Sequence, residues 1–261
     1  CLGLVVVELR GEQALAREAD DLRYRQQLGV VCSRMGELDQ AALALEAVLD
    51  AQQKRSAAAA HELGHVYAQQ ERYQRALDAY AQAVQQQPGE PAYRRSMATA
   101  LRRLGRSTEA ETQLRELLSE HGGDAAAYAE LGEVYVDAGR FANAADCYNR
   151  AVALRPDDPQ LYARLGRLRR EVGDLTGARA ALQRAAEIDA SDAALQDELG
   201  QVFEACSEIE SALAAYRAAV SLDPHCDAYQ RRLGALLRDC GDSDGAAAAL
   251  RAALELRPES A

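Results

Sequence analysis

Residues 125–158 read AAAYAELGEVYVDAGRFANAADCYNRAVALRPDD, and the reading of this stretch decides the fold. Apolar residues return at helical spacing on either side of Gly139, which predicts two helices at about Ala125–Ala138 and Ala142–Leu154. Gly139 ends the first. Pro156 ends the second by removing a donor and clashing with the preceding turn. Gly132 and Ala144 are small, so the two axes can approach at the short end of the ~8–10 Å packing range, with Tyr135 and Tyr148 filling the space beside them.

The same pattern recurs in both directions along the chain. Leu63-Gly64, Leu131-Gly132, Leu165-Gly166, Leu199-Gly200 and Leu233-Gly234 share one spacing, with Met97-Ala98 in the single gap, and the period is 34 residues. Leu28-Gly29 lies 35 residues earlier. Twelve residues after each small residue stands an alanine: Ala41, Ala76, Ala110, Ala144, Ala178, Ala212 and Ala246. Gly105, Gly173 and Gly241 stand where Gly139 does, and Pro88, Pro156, Pro224 and Pro258 close four of the units. One such hairpin cannot bury its apolar face alone. Stacking does it, so stability is a sum of neighbour interfaces.

These residues resemble tetratricopeptide repeats, in seven units covering Leu22 to Ser260. The departures are the absent tryptophan, Cys32 and Arg169 at the large position, and Gln53, Gly122 and Ala190 near the proline position. The resemblance implies an all-α fold, a right-handed α-α superhelical solenoid of helix hairpins. Its repeats fall at 22–56, 57–90, 91–124, 125–158, 159–192, 193–226 and 227–260, behind an N-terminal helical segment at 1–21.

A second period lies over the first. Even repeats carry aromatics at both large positions, as Tyr67/Tyr80, Tyr135/Tyr148 and Phe203/Tyr216, whereas odd repeats place Leu114, Leu182 and Leu250 on the second helix. Glu62, Glu130 and Glu198 precede Leu-Gly in even repeats, and Arg164 and Arg232 stand there in odd ones, with Ser96 in the third. The array therefore reads as duplications of a two-repeat unit of 68 residues.

Composition agrees with this reading. Alanine supplies 55 of 261 residues, tryptophan is absent and phenylalanine occurs twice, which suits closely packed helices better than one large core. A net charge of −11 speaks against a generic nucleic-acid or anionic-membrane binder, and aromatics are not interleaved with the arginine clusters as base stacking would need. No run of 18 apolar residues exists, so no transmembrane segment is expected. Six cysteines without paired spacing read as reduced thiols of a cytoplasmic protein. The alternative is a membrane-associated array, lipid-anchored at Cys1, although Leu-Gly-Leu-Val-Val-Val does not resemble the polar tether that usually follows such a cysteine.

His61-Glu62-Leu63-Gly64-His65 matches HExxH, a spacing that puts both imidazoles on one helix face as zinc ligation requires. Leu63-Gly64 belongs to the repeat, however, and Glu62 recurs as Glu130 and Glu198 where no histidines exist. Only His121 and His225 remain as a third ligand, in distant repeats. A metalloprotease is thus the weakest alternative; no catalytic residue, cofactor or metal is expected, and His61 and His65 are the one candidate metal pair.

In the family resembled, the first helix of each repeat lines a concave channel. Its fifth, ninth, twelfth and thirteenth positions give candidate partner-binding residues: Arg95, Thr99, Arg102 and Arg103, then Glu133 and Asp137, then Arg167, Arg170 and Glu171. Gln201 and Glu204 follow, and finally Arg231 and Arg238. Charge alternates in bands. Either arginines of one repeat pair with acids of the next, with Arg102, Arg170 and Arg238 reaching Glu133, Asp137 and Glu204, or the bands read a ligand. The Lys and Asn that chaperone-binding members use at these positions are missing, which disfavours a chaperone C-terminus. The expected role is a non-enzymatic scaffold binding a protein or peptide in the groove. The alternative is a scaffold that self-associates through an uncapped terminal repeat.

Overall fold

The structure is a computed structural model that describes residues 22–51 and 55–256. The expected helical segment at 1–21, Cys1, Gln53 and Pro258 lie outside the described residues. Among the described residues 14 α-helices follow one another as consecutive hairpins. They are α1 (Leu22–Met35), α2 (Leu38–Ala51), α3 (Ala57–Gln69), α4 (Tyr73–Gln86), α5 (Pro91–Arg103), α6 (Ser107–Glu120) and α7 (Ala125–Asp137). Then come α8 (Phe141–Leu154), α9 (Pro159–Glu171), α10 (Leu175–Ile188), α11 (Ala193–Ala205), α12 (Ile209–Leu222), α13 (Asp227–Asp239) and α14 (Ser243–Leu256). The fold is the all-α tetratricopeptide solenoid type. Odd-numbered helices are the first, and even-numbered the second, of each repeat.

Local chemistry sets the ends. Ser56, Asp124, Asp158 and Asp192 cap α3, α7, α9 and α11, their side chains accepting backbone N–H groups of the first turn. Pro91 and Pro159 open α5 and α9, where a missing N–H costs nothing. Each first helix of the first six repeats, and of the seventh, stops at a left-handed residue. Gly36, Gly105, Gly139, Gly173 and Gly241 take φ of 68–84°, and Glu71 and Ser207 hold the same position at 59° and 62°. The next N–H then returns to the helix, as Arg140 N to the Tyr135 carbonyl at 2.7 Å.

The hairpins close on the small residues. A Cβ on Gly132 would lie 2.7 Å from Cε1 of Tyr148, and one on Gly166 2.6 Å from Cγ of Leu182. Gly200 meets Tyr216, Gly29 meets Leu45 and Gly234 meets Leu250 in the same way. The alternation read in the sequence is thus a packing alternation: a ring over glycine in even repeats, a leucine in odd ones. The alanines recurring at that spacing are buried throughout, with Ala41, Ala76, Ala110, Ala144, Ala178 and Ala212 fully so.

The chain divides into two compact units, one ending at Gly123 and the other beginning at Asp124. In the N-terminal unit α1 to α6 pack successively, each on the next, and α3 also touches α1 and α5. In the C-terminal unit α7 to α14 do likewise. A core there gathers Leu182, Leu195, Leu199, Val202, Phe203, Tyr216, Leu233 and Leu237. No helix among the described residues is long and apolar enough to cross a membrane. The five described cysteines, Cys32, Cys147, Cys206, Cys226 and Cys240, are free thiols.

Candidate functional site

First-helix side chains of the C-terminal unit meet others 31 residues further on, as Glu133 with Arg164 and Arg167 with Glu198, or 35 further on, as Asp197 with Arg232. This produces a chain of bridges. Glu133 on α7 pairs with Arg164 on α9 at 3.3 Å and accepts the Tyr148 hydroxyl at 2.8 Å. Arg167 on α9 donates to both oxygens of Glu198 on α11, at 2.9 and 2.8 Å. Arg170 donates to the Gln201 side-chain carbonyl at 2.9 Å, and Gln201 donates on to Asp197 at 2.8 Å. Asp197 also holds Arg232 of α13. It is the one buried charged residue among those described, and its Oδ1 has no hydrogen-bond partner.

Arginine does pair with acid across neighbouring repeats, as Arg164, Arg167 and Arg232 show, whereas Arg170 and Arg238 meet partners other than those expected. Arg170 meets an amide, Glu204 accepts from the Tyr216 hydroxyl at 2.8 Å, and Arg238 pairs with its neighbour Asp239 at 2.9 Å. Arg231 pairs within its own helix, with Asp227 at 3.2 Å. Asp137, Glu171 and Glu204 are exposed. Sequence reading missed that the sixth position, the residue before Leu-Gly, supplies most partners: Arg164, Glu198 and Arg232. The signal was present in its Glu/Arg alternation.

In the N-terminal unit the same positions build a different surface. His61 and His65, the fifth and ninth positions of α3, lie edge to face with ring centroids 4.3 Å apart. His61 Nε2 shares a hydrogen bond with Ser96 Oγ at 2.9 Å, and its ring packs 4.6 Å from that of Tyr93. His65 Nδ1 pairs with the Tyr80 hydroxyl at 3.1 Å. Burial, then the nearby His65 and Arg95, push the His61 pKa down to about 4, and desolvation also lowers that of His65. The His61 ring is thus neutral at pH 7. Burial drives the Tyr80 hydroxyl well above the ordinary phenol range. Among the described residues no group of three His, Cys, Asp or Glu is arranged to hold a metal.

A cleft of about 320 Å³ opens beside this cluster, lined by His65, Gln69, Tyr73, Tyr80, Ser96, Thr99 and Arg103, with Ala68 and Ala100. Thr99 donates its hydroxyl to the Arg95 carbonyl at 3.0 Å. Arg95 and Arg102 are half-buried and Arg103 is exposed. Of the expected groove residues, then, the structure brings Thr99 and Arg103 to one cleft and links Glu133, Arg167, Arg170 and Gln201 into bridges.

Comparison with known proteins fits this architecture. Residues matching human protein O-mannosyl-transferase TMTC1 are 32% identical over 97 positions, 37% of this chain and only 11% of that protein's length. A tetratricopeptide repeat protein from Parabacteroides merdae superposes with TM-score 0.65 at 14% identity, over 92% of this chain and 94% of its own. YrrB, described as a TPR protein with an unusual peptide-binding site, gives 0.58 at 20% identity, over 70% of this chain and 95% of its own. A general tetratricopeptide repeat model matches residues 231–260. The family model described as the cilia and flagella-associated protein 70 C-terminal domain matches residues 5–233, most of the chain, and the protein belongs to that family.

Proposed function

We propose that the chain is a non-catalytic interaction scaffold whose first-helix face binds a protein segment. The observation that carries this is the division of labour on that face. Bridges from Glu133–Arg164 to Asp197–Arg232 hold neighbouring helices, while an open cleft and the exposed Arg103 and Glu171 remain outside that network. Support also comes from the fold shared with YrrB, whose description names peptide binding, and tetratricopeptide arrays generally serve as scaffolds. The family description brings a ciliary or flagellar setting to this reading, and the partner would be a protein of such an assembly. The compartment we favour is the cytoplasm.

A photo-crosslinking residue at Glu171, on the first-helix face, tests the reading against one at Arg150 on α8. Crosslinks to partner from position 171 alone support it; equal crosslinking from both, or from 150 alone, removes it. Self-association through a terminal face is the alternative, supported by Leu254 standing 55% exposed on α14. Light scattering across a concentration series decides it, and a monomer at every concentration ends it.

A further inference from the structure

We propose that the cleft between α3, α4 and α5 docks an acidic peptide segment, taking one aromatic or branched apolar side chain against the half-buried Tyr73 and Ala68 and a flanking carboxylate on Arg103. This deepens the groove reading and rests on it. The cavity holds about 320 Å³, at the small end of ligand sites, which fits one large side chain with a few backbone atoms rather than a cofactor. Its polar groups are largely satisfied within the protein: Ser96 by His61, Thr99 by the Arg95 carbonyl, and Gln69 Oε1 by Ser33 at 3.0 Å. What remains for a guest is apolar surface, neutral donors such as the Tyr73 hydroxyl and the Gln69 amide, and one cation.

Arg103 is that cation. It is exposed at the cleft rim and makes no hydrogen bond or ion pair among the described residues, whereas Arg94 is engaged by Glu120 at 3.2 Å and Arg106 by Glu109 at 2.7 Å. The helix that carries it, PAYRRSMATALRR, has four arginines and no acid in a chain of net charge −11. Arg103 is the one guanidinium in the lining and no carboxylate stands beside it there, so Arg103 sets the sign of the site. A guanidinium at the edge of a cleft with largely apolar walls favours a carboxylate with fork geometry. An exposed pair contributes little affinity by itself. Ring burial against Tyr73 and Ala68 supplies affinity, and Arg103 supplies selectivity and register.

The experiment titrates the intact chain, by fluorescence anisotropy, with three labelled peptides: one phenylalanine flanked by aspartates, the same flanked by lysines, and the acidic form with alanine in place of phenylalanine. The acidic aromatic peptide is expected to bind, more tightly at low salt, and the other two roughly tenfold or more weakly. Arg103→Glu, a surface change that leaves the fold intact, should weaken the acidic peptide by at least about tenfold and favour the lysine form. Ala68→Leu should weaken both aromatic peptides by filling the cleft. Equal binding of the acidic peptide by Arg103→Glu and the unaltered chain overturns the proposal. If Arg238→Glu, in the other unit, abolishes binding instead, the cleft is wrong and the first-helix face still stands. If neither reversal matters, both readings fall.

Discussion

Gly132 and Tyr148 are packed so closely that the glycine has no room for a methyl group, since a Cβ there would stand 2.7 Å from Cε1 and 2.9 Å from Cζ of the ring. Tyr148 is buried to 1% exposure and its hydroxyl is fixed on Glu133, so the ring cannot retreat. Gly132→Ala should cost ~1–3 kcal/mol and Gly132→Leu more. Gly166→Ala should cost less, because the third repeat already holds Ala98 on Leu114 with both fully buried. Calorimetry checks the contrast. In a nearest-neighbour array the larger lesion should split one transition into two. Equal losses at 132 and 166 would refute the ring-versus-leucine alternation.

Two repeats carry a side chain where the others use glycine. Ser207 and Glu71 sit at φ of 62° and 59°, a conformation costing L-residues roughly 1–2 kcal/mol. Glycine would relieve that strain and lose some through greater freedom of the unfolded chain. Ser207→Gly and Glu71→Gly should each raise stability by ~0.5–1 kcal/mol in urea titrations. Gly139→Ala should lower it.

Asp197 is buried and held by Arg232 and Gln201, while Arg231 next door makes an exposed pair within its own helix. Removing the cation leaves a buried carboxylate poorly compensated, so Arg232→Gln should cost ~1–3 kcal/mol, discounted because Arg232 is partly exposed. Arg231→Gln should cost under ~0.5 kcal/mol. Replacing Asp197 and Arg232 together by leucine should recover much of the loss. A chemical-denaturation series on these variants checks all three expectations.

Much of the fold was legible because helix packing is written in side-chain size. A small residue at Gly132 and a large one at Tyr148 recur at a fixed offset, and no other element type uses that pattern. Even the 68-residue period translated into ring or leucine over glycine. The face was legible only in part. The Glu/Arg alternation at the sixth position announced bridges, but their partners depend on the offset between neighbouring helices, which spacing along one chain does not contain. Arg170 therefore met Gln201 rather than an acid. The cleft was legible only through Thr99 and Arg103: its lining comes from three helices, Tyr73 carried no signal of its own, and Tyr80 read as the large side chain packed within its repeat.

His61 gives the fold a pH dependence whose sign follows from burial. Its pKa is about 4 in the folded chain against an ordinary value of 6.5, so the unfolded chain binds more protons between these limits. Stability should be fully retained above pH 6.5, fall as pH drops through the window, and level off below about 4. His65 shifts in the same direction. The loss traceable to His61 should be on the order of 1–3 kcal/mol. Melting curves from pH 7.5 to 4.5 should fall less steeply for His61→Gln than for the unaltered chain. Parallel curves would remove the effect.

The most direct test of a binding first-helix face compares charge reversals on the two helix sets. Arg103→Glu with Arg238→Glu alters first helices α5 and α13, and Arg150→Glu with Arg251→Glu alters second helices α8 and α14, all four residues being exposed. Each chain is presented to the same proteome-derived peptide-display library, and enrichment is measured against the unaltered chain. The first-helix variant should lose the enriched peptides by roughly tenfold or more while the second-helix variant keeps them. Retention by the first-helix variant, or loss by the second-helix one alone, would contradict the assignment of that face as the binding surface.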